Sequence, residues 1–172
     1  YFGKYTGIVK DNKDDKKLGH LAVVVPAIFP EDEQMVARPA LPYGFFFVPE
    51  VDAKVWVEFE GGDPGLPLWT GIQYIQGEWA KEAEEDPPVK RVIKSAQGHL
   101  VILNDKSGEE AIEILEGKNG HTLKLDKNGV TLKDGKNSHE ITFDSTTITI
   151  KHGSTGAKIE IGPSGILIDG PQ

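Results

Sequence analysis

Residues 121–138, 139–156 and 157–172 repeat one pattern of apolar positions with a period of eighteen. Leu123, Ile141 and Ile159 fall in register, as do Leu125, Phe143 and Ile161; Val130, Ile148 and Ile166; and Leu132, Ile150 and Ile168. Each unit holds two apolar pairs at i and i+2, separated by a polar turn such as Asp126-Lys127-Asn128-Gly129. A spacing of two is the β-strand period, so each unit predicts two short strands with one apolar face. The intervening Lys124, Thr131, Thr142, Thr149 and Glu160 are polar, with Leu167 the exception. A looser unit comes before, in which Val101 and Leu103 match Ile112 and Ile114 across a turn four residues longer.

Those twelve side chains are too much hydrocarbon to leave in water, at roughly 1.5–3 kcal/mol each when fully buried. Two short strands cannot wrap around themselves, so something must cover the face. A left-handed β-helix needs an apolar residue every six, whereas here the strand starts are 7 and 11 apart. A calcium β-roll needs Gly-Gly-x-Gly-x-Asp turns, which the chain lacks. The expected architecture is an intertwined trimeric β-prism, a triple-stranded β-helix in which identical chains supply strands to a shared core and leave no sheet edge free. Leu123, Leu125, Val130, Leu132, Ile141, Phe143, Ile148, Ile150, Ile159, Ile161, Ile166 and Ile168 are its predicted trimer core. A needle of this kind acts mechanically and is expected to need no catalytic group and no cofactor.

The chain as a whole reads as all-β. Residues 1–76 predict a five-stranded OB-fold barrel, with strands around Gly7–Lys10, Leu21–Val25, Phe45–Val48, Lys54–Glu60 and Pro67–Ile72. The apolar run Phe45-Phe46-Phe47-Val48 reads as a strand buried on both faces. Residues 77–97 predict a linker with a short helix at Glu78–Glu85, stopped by Asp86-Pro87-Pro88, and residues 98–172 the spike.

Charge and composition exclude several classes. Lys plus Arg number 19 against 27 Asp plus Glu, a net charge of −8, with the deficit spread over the chain. No segment has the basic stripe that phosphate neutralisation needs, so nucleic acid is not an expected partner. Tyr43, Phe45, Phe46, Phe47, Trp56 and Trp69 are accordingly read as core and subunit packing, not as base-stacking platforms. The absence of Cys removes disulfides and thiolate metal sites. No Gly-x-Ser-x-Gly, His-Glu-x-x-His or phosphate-binding glycine loop occurs, and Glu58 and Glu60 point outward from an alternating strand.

Three histidines recur at one repeat position: His99, His121 and His139. Each lies two residues before an inward apolar residue. In a threefold prism that parity would bring imidazoles together as axial metal candidates. The other reading makes them corners where the chain bends and the rings reach solvent.

The N-terminal part resembles the OB domain of phage baseplate assembly protein V and of the VgrG tip proteins of type VI secretion. The resemblance runs through Arg38-Pro39, Pro42-Tyr43, Gly44-Phe45-Phe46-Phe47, Pro49-Glu50-Val51 and Val55-Trp56-Val57-Glu58-Phe59. It continues through Gly61-Gly62-Asp63-Pro64, Pro67, Trp69 and Gly71, while Lys90–Ser95 and Gly98-His99 resemble the start of the spike in that family. Two positions depart from the family pattern: His20 stands where an Arg is usual, and Asp52 where a Gly is usual.

The resemblance implies a membrane-puncturing central spike of a contractile tail or phage-like injection particle, seated on a separate baseplate hub protein. It implies assembly in the bacterial cytoplasm, a place at the tail tip of the particle baseplate, and contact with the target cell envelope on contraction. Related phage spikes can end in a His-x-His tip that holds iron. The end here, with the tip residues Asp169, Gly170, Pro171 and Gln172, has no such motif. The expectation is a blunt tip capped by a PAAR-type protein. A different class, an OB-fold glycan- or protein-binding module on a trimeric β stalk, is the alternative.

Overall fold

A computed structural model describes residues 1–170. It divides into two units, Tyr1–Glu78 and a second that starts at Trp79.

In the first unit, strict alternation does most of the work. Val55, Val57 and Phe59 of β4 (Lys54–Phe59) turn inward, while Lys54, Trp56 and Glu58 face out. They meet the inward residues of β1 (Tyr5–Asp11), β2 (Leu21–Val24), β3 (Met35–Pro39) and β5 (Pro67–Ile72). The five strands close into a barrel in the order β1-β2-β3-β5-β4. Closure depends on a short parallel pair, Arg38 beside Leu68 and Pro39 beside Trp69. Val9, Leu21, Val23, Val25, Ala37 and Trp69 complete the core.

The third strand differs from the sequence expectation. Residues 45–48 form no strand, and Phe45, Phe46 and Phe47 stand on an exposed loop together with Tyr43. The backbone turns there, with the Phe45 N–H bonded to the Pro42 carbonyl and Gly44 at φ +84°. Met35–Pro39 supplies the strand instead. It buries only Ala37 fully and leaves Val36 exposed, a pattern too weak to read without its partners.

Both departures from the family pattern have a local account. Asp52 adopts φ +68°, the left-handed region that glycine enters without strain, and its N–H donates to the Val9 carbonyl at 2.9 Å. His20 lies 3.5 Å from Asp14, whose carboxylate also accepts the N–H groups of Lys16, Leu18 and His20.

The second unit is one nine-stranded antiparallel meander in which chain order is sheet order. Its strands are β6 (Lys90–Lys94), β7 (Leu100–Asn104), β8 (Ala111–Leu115), β9 (Thr122–Asp126), β10 (Gly129–Lys133), β11 (Glu140–Phe143), β12 (Ile148–Lys151), β13 (Lys158–Gly162) and β14 (Gly165–Asp169). The segment read as a linker therefore contributes a strand, β6, and only a single 3-10 turn at Lys81–Ala83. Lys94 and Lys90 of β6 are tied to Glu82 and Glu85 at 3.0 and 2.6 Å, and Ala83 is buried there.

Every ladder described in this sheet joins neighbouring strands of the one chain. Gly129 pairs directly with Asp126, and Gly165 with Gly162, so at these two turns the strand folds straight back on its predecessor. Cover for the apolar face is then a separate question from pairing at the edges.

Candidate assembly surface

Strand register determines which side chains share a face, and here it aligns them in two rows. One row runs Ile93, Val101, Ile114, Leu123, Leu132, Ile141, Ile150, Ile159 and Ile168, one residue from each strand. The other runs Leu103, Ile112, Leu125, Val130, Phe143, Ile148, Ile161 and Ile166, with Arg91 at its head. All twelve predicted core residues lie in these rows on one face. None of the twelve is buried, and Ile150 is 48% and Ile168 77% exposed.

From β9 to β13 the opposite face is built for water, while on β6–β8 it also carries Val92, Leu100, Ile102 and Leu115. Thr131, Thr142 and Thr149 sit side by side in its middle row. Lys124 lies 3.4 Å from Glu113 and 3.3 Å from Asp126; the Asp126 contact raises the lysine's affinity for its proton, and the Asn128 N–H, with Lys124 after it, lowers the pKa of the Asp126 carboxyl. Glu140 faces Lys151 across the strands, and Lys158 is 2.8 Å from Glu160. A sheet that is solvated on one side and apolar on the other has one face to cover. Within the described part of this chain nothing covers it.

The turns carry functional groups that sequence patterning passed over. Asp144, at the β11–β12 turn, accepts the N–H groups of Thr146 and Thr147 at 2.8 and 2.7 Å and both threonine hydroxyls at 3.0 and 2.8 Å. These donors hold its pKa at about 2, against 3.8 ordinarily. A carboxyl lowered in the folded state stabilises above its unfolded pKa and loses that contribution as pH falls through the folded one. The thermal midpoint difference between wild type and Asp144→Ala should therefore be full at neutral pH and shrink between about pH 4 and about pH 2. A difference that stays constant across that window would show that the capping bonds contribute nothing.

His99, His121 and His139 all sit at turns, not within the apolar rows. Each ring's Nδ1 accepts a backbone N–H, from Gly117, Gly135 and Gly153 respectively. Among the described residues, no group of three or more His, Asp or Glu side chains is placed to hold a metal ion. Asp169 and Gly170 end the described chain after β14, and the predicted tip residues Pro171 and Gln172 lie outside the described residues. Glu58 pairs with Lys4 and Glu60 with Arg38 on the barrel's outer surface. The aromatics divide: Trp69 is core, Trp56 faces outward, and Tyr43 with Phe45, Phe46 and Phe47 is exposed. No described helix is long and apolar enough to cross a membrane.

No curated protein matches the chain. Residues 5–74, a span that covers the whole closed barrel, match the family of type VI secretion system/phage-baseplate injector OB domains. That family carries a structural role in the baseplate. Over residues 5–74 the five-stranded barrel is thus similar to the injector OB domains of type VI secretion systems and phage baseplates.

Proposed function

We propose that this chain is the central spike of a contractile tail or phage-like injection particle, acting as a homotrimer. Three copies of the nine-stranded sheet turn their apolar faces together to form the needle, and the OB domain seats it on a separate hub protein. The uncovered double row of aliphatic side chains carries this reading. Each half-exposed Leu or Ile gains on the order of 1 kcal/mol by completing its burial, and the rows contain seventeen apolar residues in all.

The function is mechanical: sheath contraction loads the needle, which transmits the force to the target envelope. Hydrogen bonds along each sheet and a dry shared core resist unravelling. No reaction is assigned to the protein. The last strand exposes Ile166, Leu167 and Ile168 on both faces, which supports a separate PAAR-type protein as its cap. The exposed Tyr43, Phe45, Phe46 and Phe47 support the second reading, a glycan- or protein-binding module, because aromatic rings on a loop stack readily on partners.

Light scattering on the intact chain tests the proposal. A mass of three times 18.8 kDa, with a band that resists detergent until boiled, is the expected result. A folded monomer would overturn it. Saturable glycan binding by a trimer would favour the second reading.

A further inference from the structure

The turns along one side of the sheet follow a single plan. They span residues 95–99, 116–121, 134–139 and 152–157. In each, the first residue's N–H donates to the last residue's carbonyl: Ser95 to His99 at 3.0 Å, and Glu116 to His121, Asp134 to His139 and His152 to Ala157 at 2.8 Å. Each turn also packs on the next. The N–H of Gly117 donates to His99 Nδ1 at 3.2 Å, that of Gly135 to His121 Nδ1 at 3.3 Å, and that of Gly153 to His139 Nδ1 at 3.1 Å.

The approach is close enough to exclude any side chain. A Cβ at Gly117 would lie 2.5 Å from the Gln97 carbonyl oxygen, at Gly135 2.2 Å from that of Gly120, and at Gly153 1.9 Å from that of Asn137. The start of the series fits this packing: the first turn of the sheet has no turn before it and carries Ala96 where the others carry Gly. The fourth carries Ala157 where the others carry His, and a Cβ at Gly170, the next glycine in the series, would lie 3.7 Å from the Ala157 Cβ. Glycine is the slot and histidine the clasp.

We infer that these glycine–histidine clasps make this side of the sheet sensitive to acid, and that the corner formed by His139 and His152 releases first. A backbone N–H can only donate, so at His99 and His139 the Nδ1 must present its lone pair, with the ring neutral and its proton on Nε2. Acidification to about pH 5 takes a second proton from solvent onto an imidazole. On Nδ1 it meets the glycine N–H, donor against donor, and the clasp opens.

The corners differ in what else faces the ring. At His121 the Asp134 Oδ1 lies 2.9 Å from the same Nδ1, so a new N–H has an acceptor waiting, and the Glu116 carboxylate lies in the same electrostatic neighbourhood. At the next corner His152 takes the place of Asp134. Its ring centroid is 4.5 Å from that of His139, and its own Nδ1 already accepts from the Thr155 N–H and contacts the Thr155 hydroxyl. Asp134, Glu140 and Lys151 line the same cavity. Glu140 and Lys151 are register partners across the strands, and Asp134 accepts the Lys136 and Asn137 N–H groups. Two imidazolium rings would therefore face each other at this corner, where at the previous one an imidazolium faces a carboxylate.

Hydrogen–deuterium exchange of the full chain at pH 7.5 and pH 5.0, corrected for intrinsic rates, tests this. Protection in residues 152–157 should fall about tenfold more than in residues 134–139. His139→Asn places an acceptor oxygen where Nδ1 stands but does not titrate, so protection of the Gly153 N–H should lose its pH dependence. Equal loss at the two corners in the wild type, or equal pH dependence in wild type and His139→Asn, would overturn the inference. The wild-type comparison stands even where the variant does not fold.

Discussion

Ile141→Asp should convert the assembled protein to single chains, while Thr142→Asp, one residue further along the same strand, should leave the assembly intact. Ile141 lies mid-row between Leu132 and Ile150 on the apolar face, and Thr142 lies between Thr131 and Thr149 on the wet one. If three sheets share a core at that level, the first substitution drives one carboxylate per chain into a region with no cation to meet it. An uncompensated buried charge costs roughly 3–5 kcal/mol per copy, and three copies pay together. The second substitution places its charge in water at almost no cost. Because period-two alternation sends adjacent residues to opposite faces, the pair isolates the face from the strand. Light scattering reads both variants. Wild-type mass for Ile141→Asp would show that the apolar rows are not the interface.

How far the sequence could be read depended on whether each signal was local. Apolar residues at i and i+2, kept in phase by turns of constant length, were enough to place all twelve repeat residues on one face. A pleated strand has only two faces, and register then carries the choice from strand to strand. The longer turn between β7 and β8 shifts the phase but not the parity, so Val101 and Leu103 still face Ile114 and Ile112. The row's first member, Ile93, was hidden because Lys90-Arg91-Val92-Ile93-Lys94 reads as a charged linker until β7 pairs with it.

In the barrel the failure ran the other way. Phe45-Phe46-Phe47-Val48 has strand composition, yet Pro42, Gly44 and Pro49 bend or terminate the chain around it, and turn chemistry outweighs hydrophobicity there. Met35–Pro39 has little composition signal and is held by its neighbours on both sides. The histidines' corner positions were visible in the repeat. Their partners were not, since the glycine that caps each Nδ1 lies fourteen or eighteen residues downstream and meets it only when successive turns stack.

Trp69→Ala should unfold the barrel near physiological temperature, whereas Trp56→Ala should be tolerated. Trp69 is 1% exposed at the centre of the core. It sits beside Pro39 in the short parallel pair and opposite Val57 in β4, so it touches both seams that close the barrel. Its indole N–H also donates to the Gly19 carbonyl at 2.9 Å, fastening the loop that Asp14 organises. Truncation loses the packing of a large aromatic, about 3–5 kcal/mol, before the stranded carbonyl is counted. For a domain of this size that lowers the midpoint by ~15 °C or more and removes most of an ordinary stability margin. Trp69→Phe keeps an aromatic ring in the core but loses the donor and part of the indole's volume, and should fall between wild type and Trp69→Ala. Trp56 lies on the outer side of β4, where truncation opens no cavity. Near-ultraviolet circular dichroism during heating distinguishes the cases. An unchanged midpoint for Trp69→Ala would mean that the barrel is held by its ladders and not by the residue that joins its seams.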